Sequence, residues 1–181
     1  MKSSRQNGYI ETRLRTAMPS DANAVNSLLA VSYSQLLPSC YSPEILDITL
    51  PLITRSNSAL LASGTYYVAE TASGQIVGCG GWTSNPPEAE TGTRDEAHIR
   101  HFATHPDSLR QGIGAGILAR CLRAAEQAGV RRLHCYSSLN GECFYRSAGF
   151  ISKGLIDIPM RPGITFPVMM MIKDFSAQTF L

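Results

Sequence analysis

The stretch His105-Pro106-Asp107-Ser108-Leu109-Arg110-Gln111-Gly112-Ile113-Gly114-Ala115-Gly116 decides how this chain is read. Upstream of it, Ala97 to Thr104 reads as a strand. Downstream, Gly112 to Ala128 carries Ile117, Leu118, Cys121, Leu122 and Ala125 at helical spacing, and Gly129 closes the run as a helix C-terminus does. A glycine-rich turn between strand and helix can fold tightly with its N–H groups pointing inward. The first turn of the helix adds unpaired donors and the positive end of a dipole. Together they form an anion site suited to a pyrophosphate, with Arg110 adding charge nearby.

Two familiar phosphate motifs do not fit. No Gly-Lys-Ser/Thr closes the turn, as a P-loop requires. Gly112 and Gly114 are followed by Ile117 where a dinucleotide fingerprint needs a third glycine, and the turn falls well past mid-chain. On these residues alone, a helix entry that needs small side chains for packing explains the glycines equally well.

Working outward toward the N-terminus, Gln75 to Thr83 and Thr65 to Glu70 alternate as strands around the turn Thr71 to Gly74, so they read as a hairpin. Gly78, Gly80 and Gly81 inside it imply a bulge or close packing. Asn85 to Arg94 is a loop. Ser42-Pro43-Glu44 opens one helix and Pro19-Ser20-Asp21 another, over Ala22 to Tyr33, and Thr12 to Ala17 is a short strand. Toward the C-terminus, Arg132 to Tyr136 is a strand, Asn140 to Ala148 a short helix, and Phe150 to Ile158 and Thr165 to Lys173 are the last strands. Met169-Met170-Met171 sits in a strand pattern and belongs to the core. The order is strand, two helices, three strands, helix, strand, helix, two strands. It implies a mixed sheet covered by helices.

Composition bounds the function. The 181 residues, 44% hydrophobic and 17% charged, suit a single domain over 11–181 with a frayed terminus at 1–10. A net charge of +2 gives no nucleic-acid footprint, so no nucleic-acid partner is expected. The five cysteines are odd in number, widely spaced and without a CxxC pair, which suits reduced, mostly buried thiols of a cytoplasmic protein. Four histidines without ligand spacing predict no metal site. No run reaches transmembrane length and no leader-like apolar region opens the chain, so no membrane contact is expected.

From Ala97 to Phe150 the sequence resembles the GNAT superfamily of N-acetyltransferases. The matching pieces are the strand Ile99 to Thr104, the turn Arg110-Gln111-Gly112-Ile113-Gly114, the helix that follows, Asn140, and Phe144-Tyr145-Arg146-Ser147-Ala148-Gly149-Phe150, which looks like the family's FYxxxGF signature. Leu109 departs from the family pattern, which has Gln or Arg there. The resemblance implies an α/β (α+β mixed) fold, with a mostly antiparallel twisted sheet of about six to seven strands flanked by about four helices. It also implies acetyl-CoA as cosubstrate, a small-molecule or peptide amine as acceptor, and room for a homodimer.

The resemblance assigns roles residue by residue. The backbone of Phe102, Ala103 and Thr104 takes the pantetheine arm as an added strand. The N–H groups of Gln111, Gly112, Ile113, Gly114 and Ala115 take the pyrophosphate, with Arg110 beside them. Tyr145 is the general acid for the departing thiolate. Asn140 caps its helix or touches CoA. Glu96 and His98, two apart on one strand face, are the candidates for removing the amine proton. Cys143 reads as a small buried hydrophobe, and a covalent acyl-cysteine route is the less direct use of it. Tyr33, Tyr41 and Trp82 could line an acceptor pocket, and core packing explains them equally well. Three functions stay open: direct N-acetyl transfer to a primary amine, a non-catalytic acyl-CoA sensor, and an acetyltransferase of a protein or aminoacyl-tRNA amine.

Overall fold

A computed structural model describes residues 10–85 and 95–175. In chain order the elements are β1 (Thr12–Thr16), α1 (Ala22–Leu36), α2 (Pro43–Ile53), α3 (Ser58–Leu61), β2 (Tyr66–Thr71), β3 (Ile76–Thr83), β4 (Glu96–Thr104), α4 (Ile113–Gln127), β5 (Arg132–Ser137), α5 (Glu142–Ser147), β6 (Ile151–Arg161) and β7 (Ile164–Asp174). The seven strands form one sheet in the order β1-β2-β3-β4-β5-β7-β6. β4 and β5 run parallel, and every other neighbouring pair is antiparallel.

β2 shows why helices cover both faces. Tyr66, Tyr67, Val68 and Ala69 are all buried. Successive side chains point to opposite faces, so Tyr66 and Val68 pack with Val25, Leu28 and Leu29 of α1. Tyr67 and Ala69 pack with Ile117, Leu118 and Cys121 of α4. Ile117 and Leu118 are fully enclosed, and each such side chain contributes roughly 1.5–3 kcal/mol. A third cluster seats α2 on β7. There Tyr41 stacks on Phe166 at 4.4 Å, donates to the Pro167 carbonyl at 2.9 Å and accepts from the Leu139 N–H at 2.9 Å. Met171 is buried in the core, as its strand pattern implies.

Element order and type follow the sequence, with local differences. α1 runs on to Leu36 and passes into a 3-10 turn at Leu37–Ser39. The helix added to the four expected, α3, is a single turn with no periodicity to announce it; the Asn57 side chain caps it by accepting from the Ala59 N–H at 2.8 Å. The last short helix is split, with a 3-10 turn at Leu139–Gly141 ahead of α5. The frayed terminus read at 1–10 (apart from Ile10) and the loop read at 85–94 (apart from Asn85) lie outside the described residues.

Candidate active site

The parallel seam between β4 and β5 is short. It holds three residue pairs, Glu96 with Arg132, Ala97 with Leu133 and His98 with His134. Beyond His98, β4 stays paired with β3 through Arg100, Ala103 and Thr104. Cys135, Tyr136 and Ser137 of β5 pair with β7 instead. The two strands therefore part, and the β5-facing edge of β4 is left open from residue 99 onward.

A bulge shapes that edge. The register between β3 and β4 slips between Cys79 and Gly81, and His101 adopts a φ of 42°, a left-handed conformation rare for a side-chain-bearing residue. Side-chain donors hold the turned backbone in place. The Tyr66 hydroxyl donates to the His101 carbonyl at 2.8 Å and the Cys79 thiol to the same oxygen at 3.7 Å. The Tyr33 hydroxyl donates to the Phe102 carbonyl at 3.1 Å. The β3 glycines are required here. A Cβ on Gly80 would lie 2.6 Å from the Phe102 ring, and one on Gly81 would lie 2.6 Å from the Thr65 carbonyl oxygen.

Two cavities meet in the opening. One, of about 170 Å³, is bounded by Tyr33 and Ile53 from one face of the sheet, His101 and Tyr136 from the parted strands, and Tyr145 from α5. The other, of about 260 Å³, runs along Phe102, Ala103 and Thr104 to Leu109 and Gly114, with Asn140 and Phe144 opposite. Tyr33, Phe102, Ser138 and Tyr145 border both. Tyr145 is buried, with edge-on rings at 4.9 Å (Phe144), 5.6 Å (Phe150) and 6.0 Å (Phe102) fixing its own. Burial, with the Cys135 thiol alongside, pushes its phenol well above the ordinary tyrosine range, so it holds its proton at neutral pH.

The glycine turn ends the second cavity. Arg110 and Gly112 both have positive φ, 60° and 78°. Gly112 is the N-cap of α4 and no side chain caps it. The first-turn N–H groups thus have no side-chain acceptor, while Gly116 already donates to the Gly112 carbonyl at 2.8 Å. The Gln111 side chain is engaged elsewhere, accepting from the Ile10 N–H at 2.9 Å. Leu109, 42% exposed, presents an apolar wall to the second cavity where the family pattern has a polar side chain.

The remaining candidates are distributed as follows. Asn140 lines the second cavity but does not cap α5, whose N-cap is Gly141. Its amide donates to the Leu36 carbonyl at 3.1 Å, tying the turn to the end of α1. Glu96 and His98 share a face, as their spacing requires, and both meet His134: Glu96 Oε2 lies 3.2 Å from His134 Nε2, and the two imidazoles stack at 4.9 Å. That cluster stands at the closed end of the seam and borders neither cavity. Cys143 is exposed, contrary to its expected burial; the buried thiol beside Tyr145 is Cys135. Of the tyrosines and tryptophan named for a pocket, Tyr33 lines it, whereas Tyr41 and Trp82 sit in the packed clusters.

The sequence reading assigned His101 no role. Strict alternation would set it in the apolar row of Ala97, Ile99 and Ala103, and a histidine in such a row is the signal it offered. The bulge breaks the row: Ala97 and Ile99 pack on the α4 side, and Ala103 on the α1 side. His101 lines the first cavity, and its Nδ1 is sealed from solvent with no hydrogen-bond partner. Burial, helped by the neighbouring Arg100 charge, lowers its pKa to about 4. Among the described residues, no group of His, Cys, Asp or Glu side chains is placed to hold a metal, and no helix is long and apolar enough to cross a membrane.

A family model described as an acetyltransferase (GNAT) domain matches residues 62–152. Solved structures share the fold over nearly the whole chain. The GCN5-related N-acetyltransferase from Rhodopseudomonas palustris superposes with a TM-score of 0.72 at 20% identity, covering 94% of this chain and 100% of that one. The paiA N-acetyltransferase from Thermoplasma acidophilum, in complex with coenzyme A, gives 0.68 at 15% identity, covering 92% and 100%. The yncA structure from Salmonella typhimurium, with its cofactor acetyl-CoA, gives 0.64 at 15% identity, covering 94% and 98%.

Proposed function

The chain belongs to the GNAT acetyltransferase family, and from that premise we propose that it transfers an acetyl group from acetyl-CoA to a primary amine by direct attack, with Tyr145 as general acid. The observation that carries this reading is the meeting of two cavities at Tyr145 within the opening between β4 and β5. An extended arm lying along Phe102, Ala103 and Thr104 finds a strand edge that β5 has left unpaired. At its far end, the N–H groups from Gln111 to Ala115 and the charge of Arg110 suit a pyrophosphate, and Asn140 stands across the cavity. The residues present therefore fit the cosubstrate.

Acetyl-CoA would supply the thioester carbon that the amine attacks. Tyr145 Oη holds the proton that the departing sulfur needs, and its burial keeps that proton in place through the neutral range. Rings around it fix its direction. Glu96 and His98 stand off the cavity, so a base role for either runs through a chain of water.

A screen of amines, amino acids, polyamines and peptides, read as thiol release from acetyl-CoA, tests the proposal. Acetyl-CoA-dependent acetylation of at least one amine class is expected. Calorimetry that detects no CoA binding at high micromolar protein would remove the reading altogether.

A further inference from the structure

We propose that the first cavity is the acceptor pocket, and that it selects a primary amine carried on an uncharged apolar body the size of one aromatic ring, with Ile53 setting the size limit. The proposal rests on the acetyl-transfer reading and adds to it a substrate class and the wall that chooses it.

The wall is apolar and comes from several elements. Besides Tyr145, the cavity is bounded by Tyr33 in the last turn of α1, Leu37 just past it, Ile53 at the end of α2, Tyr136 of β5 and Phe166 of β7. Three of these five are rings and two are branched aliphatic side chains. Such a surface gains most from a ligand that removes apolar area from water, and flat bodies pack well against rings.

Contacts within the fold hold this wall in place. Phe166 stacks on Tyr41 at 4.4 Å. The Tyr41 hydroxyl in turn donates to the Pro167 carbonyl and accepts from the Leu139 N–H, both at 2.9 Å. The Tyr33 hydroxyl donates to the Phe102 carbonyl at 3.1 Å, and the Ser137 hydroxyl to the Ser138 carbonyl at 2.8 Å. Neither of these two protons is left for an acceptor molecule.

Size and charge narrow the class. The cavity volume of about 170 Å³ compares with the ~150 Å³ of a cavity known to hold benzene. Among the described residues no Asp, Glu, Lys or Arg borders it. A second ammonium or a carboxylate on the acceptor would give up its water against these walls and meet no opposite charge there, a cost that an uncharged body avoids. The nitrogen has its own place, because the edges of β4 and β5 part at this cavity and leave backbone groups unpaired with each other.

The step balances. The nitrogen lone pair forms the C–N bond as the C–S bond breaks. The sulfur takes the proton of Tyr145 Oη, the nitrogen gives one to water, and water returns one to the phenolate. Amide and free thiol are left.

The test measures kcat/KM for benzylamine, ethylamine, spermidine and a lysine-bearing tripeptide with acetyl-CoA, while a thermal shift follows CoA binding separately. In the wild type, benzylamine is expected to lead each of the others by about tenfold or more. Two variants then change the room at Ile53, which is half-buried and borders the first cavity but not the second. Ile53→Trp fills the pocket, so the ratio of benzylamine to ethylamine should fall at least about tenfold with the CoA shift unchanged. Ile53→Ala enlarges it, so the ratio of 1-naphthylmethylamine to benzylamine should rise by about tenfold. A wall with a merely structural role would lower all amines together and leave these ratios where they were; unchanged ratios therefore overturn the proposal. So does a wild type that turns over ethylamine as well as benzylamine, or none of the amines while CoA still shifts its melt. Preference for spermidine or the peptide overturns it too, and would assign the rings to holding a cation. If Ile53→Trp does not fold, Ile53→Ala and the wild-type preferences decide. Absence of the CoA shift in the wild type sinks the acetyl-transfer reading instead, so the two failures are told apart.

Discussion

At Tyr145 a single hydroxyl separates chemistry from packing. Its ring is set by Phe102, Phe144 and Phe150, so Tyr145→Phe keeps the apolar contacts and removes only the proton donor. We expect kcat to fall by ~10²–10⁴-fold, CoA affinity to change less than about threefold, and unfolding free energy to move by no more than about 1 kcal/mol. Steady-state kinetics beside a denaturant melt distinguish this from a packing defect; an unchanged kcat across neutral pH would retire the acid role. His101, Tyr33 and Cys135 surround the same point but differ in kind. Tyr33 spends its hydroxyl on the Phe102 carbonyl, and Cys135 is a buried thiol pushed out of its reactive range.

Among the elements, the start of α4 carries the sharpest test. A Cβ on Gly114 would sit 3.3 Å from Thr104 Oγ1 and 3.4 Å from the Phe144 ring, across the second cavity. Gly114→Val places two further methyl groups there. The helix itself tolerates the change within about 1 kcal/mol, so the expected outcome is a folded protein whose CoA affinity drops at least about tenfold, measured by calorimetry. This element was legible in the sequence, because the Ile117, Leu118, Cys121 and Ala125 spacing and the two glycines are local signals. So were the β2–β3 hairpin and every strand from β4 onward. The parting of β4 from β5 was not, because pairing between strands separated by a helix leaves no mark on either strand. The bulge was half legible: Gly80 and Gly81 announced close packing, but not that His101 would turn into a cavity. Asn140 misled because a residue ahead of a short helix reads as a cap, whereas its amide bonds to the end of α1, distant in sequence.

On the scale of the whole molecule, the sheet consists of two antiparallel pieces, β1 to β4 and β5-β7-β6, joined through three residue pairs. The residues proposed for the cosubstrate and its acid lie on both, with β4, the glycine turn and α4 on one side and Asn140 and Tyr145 on the other. A ligand that binds the folded state alone at 100 times its Kd adds about 2.7 kcal/mol. For a chain of 181 residues that corresponds to a rise in melting temperature of roughly 5–10 °C. A CoA titration of the melt should show it, and Gly114→Val should lose most of it at the same concentrations.

The short seam also has a mechanical consequence. Considered as a built object, the sheet is two plates welded along one brief joint, with the proposed cosubstrate passage cut where the weld stops. On the proposed function, a cosubstrate laid across that passage would act as a tie-bar between the plates. Anything that pries the plates apart along this joint reaches the passage as soon as the strand pairing ends. Lengthening the weld would strengthen the frame and close the passage in the same stroke.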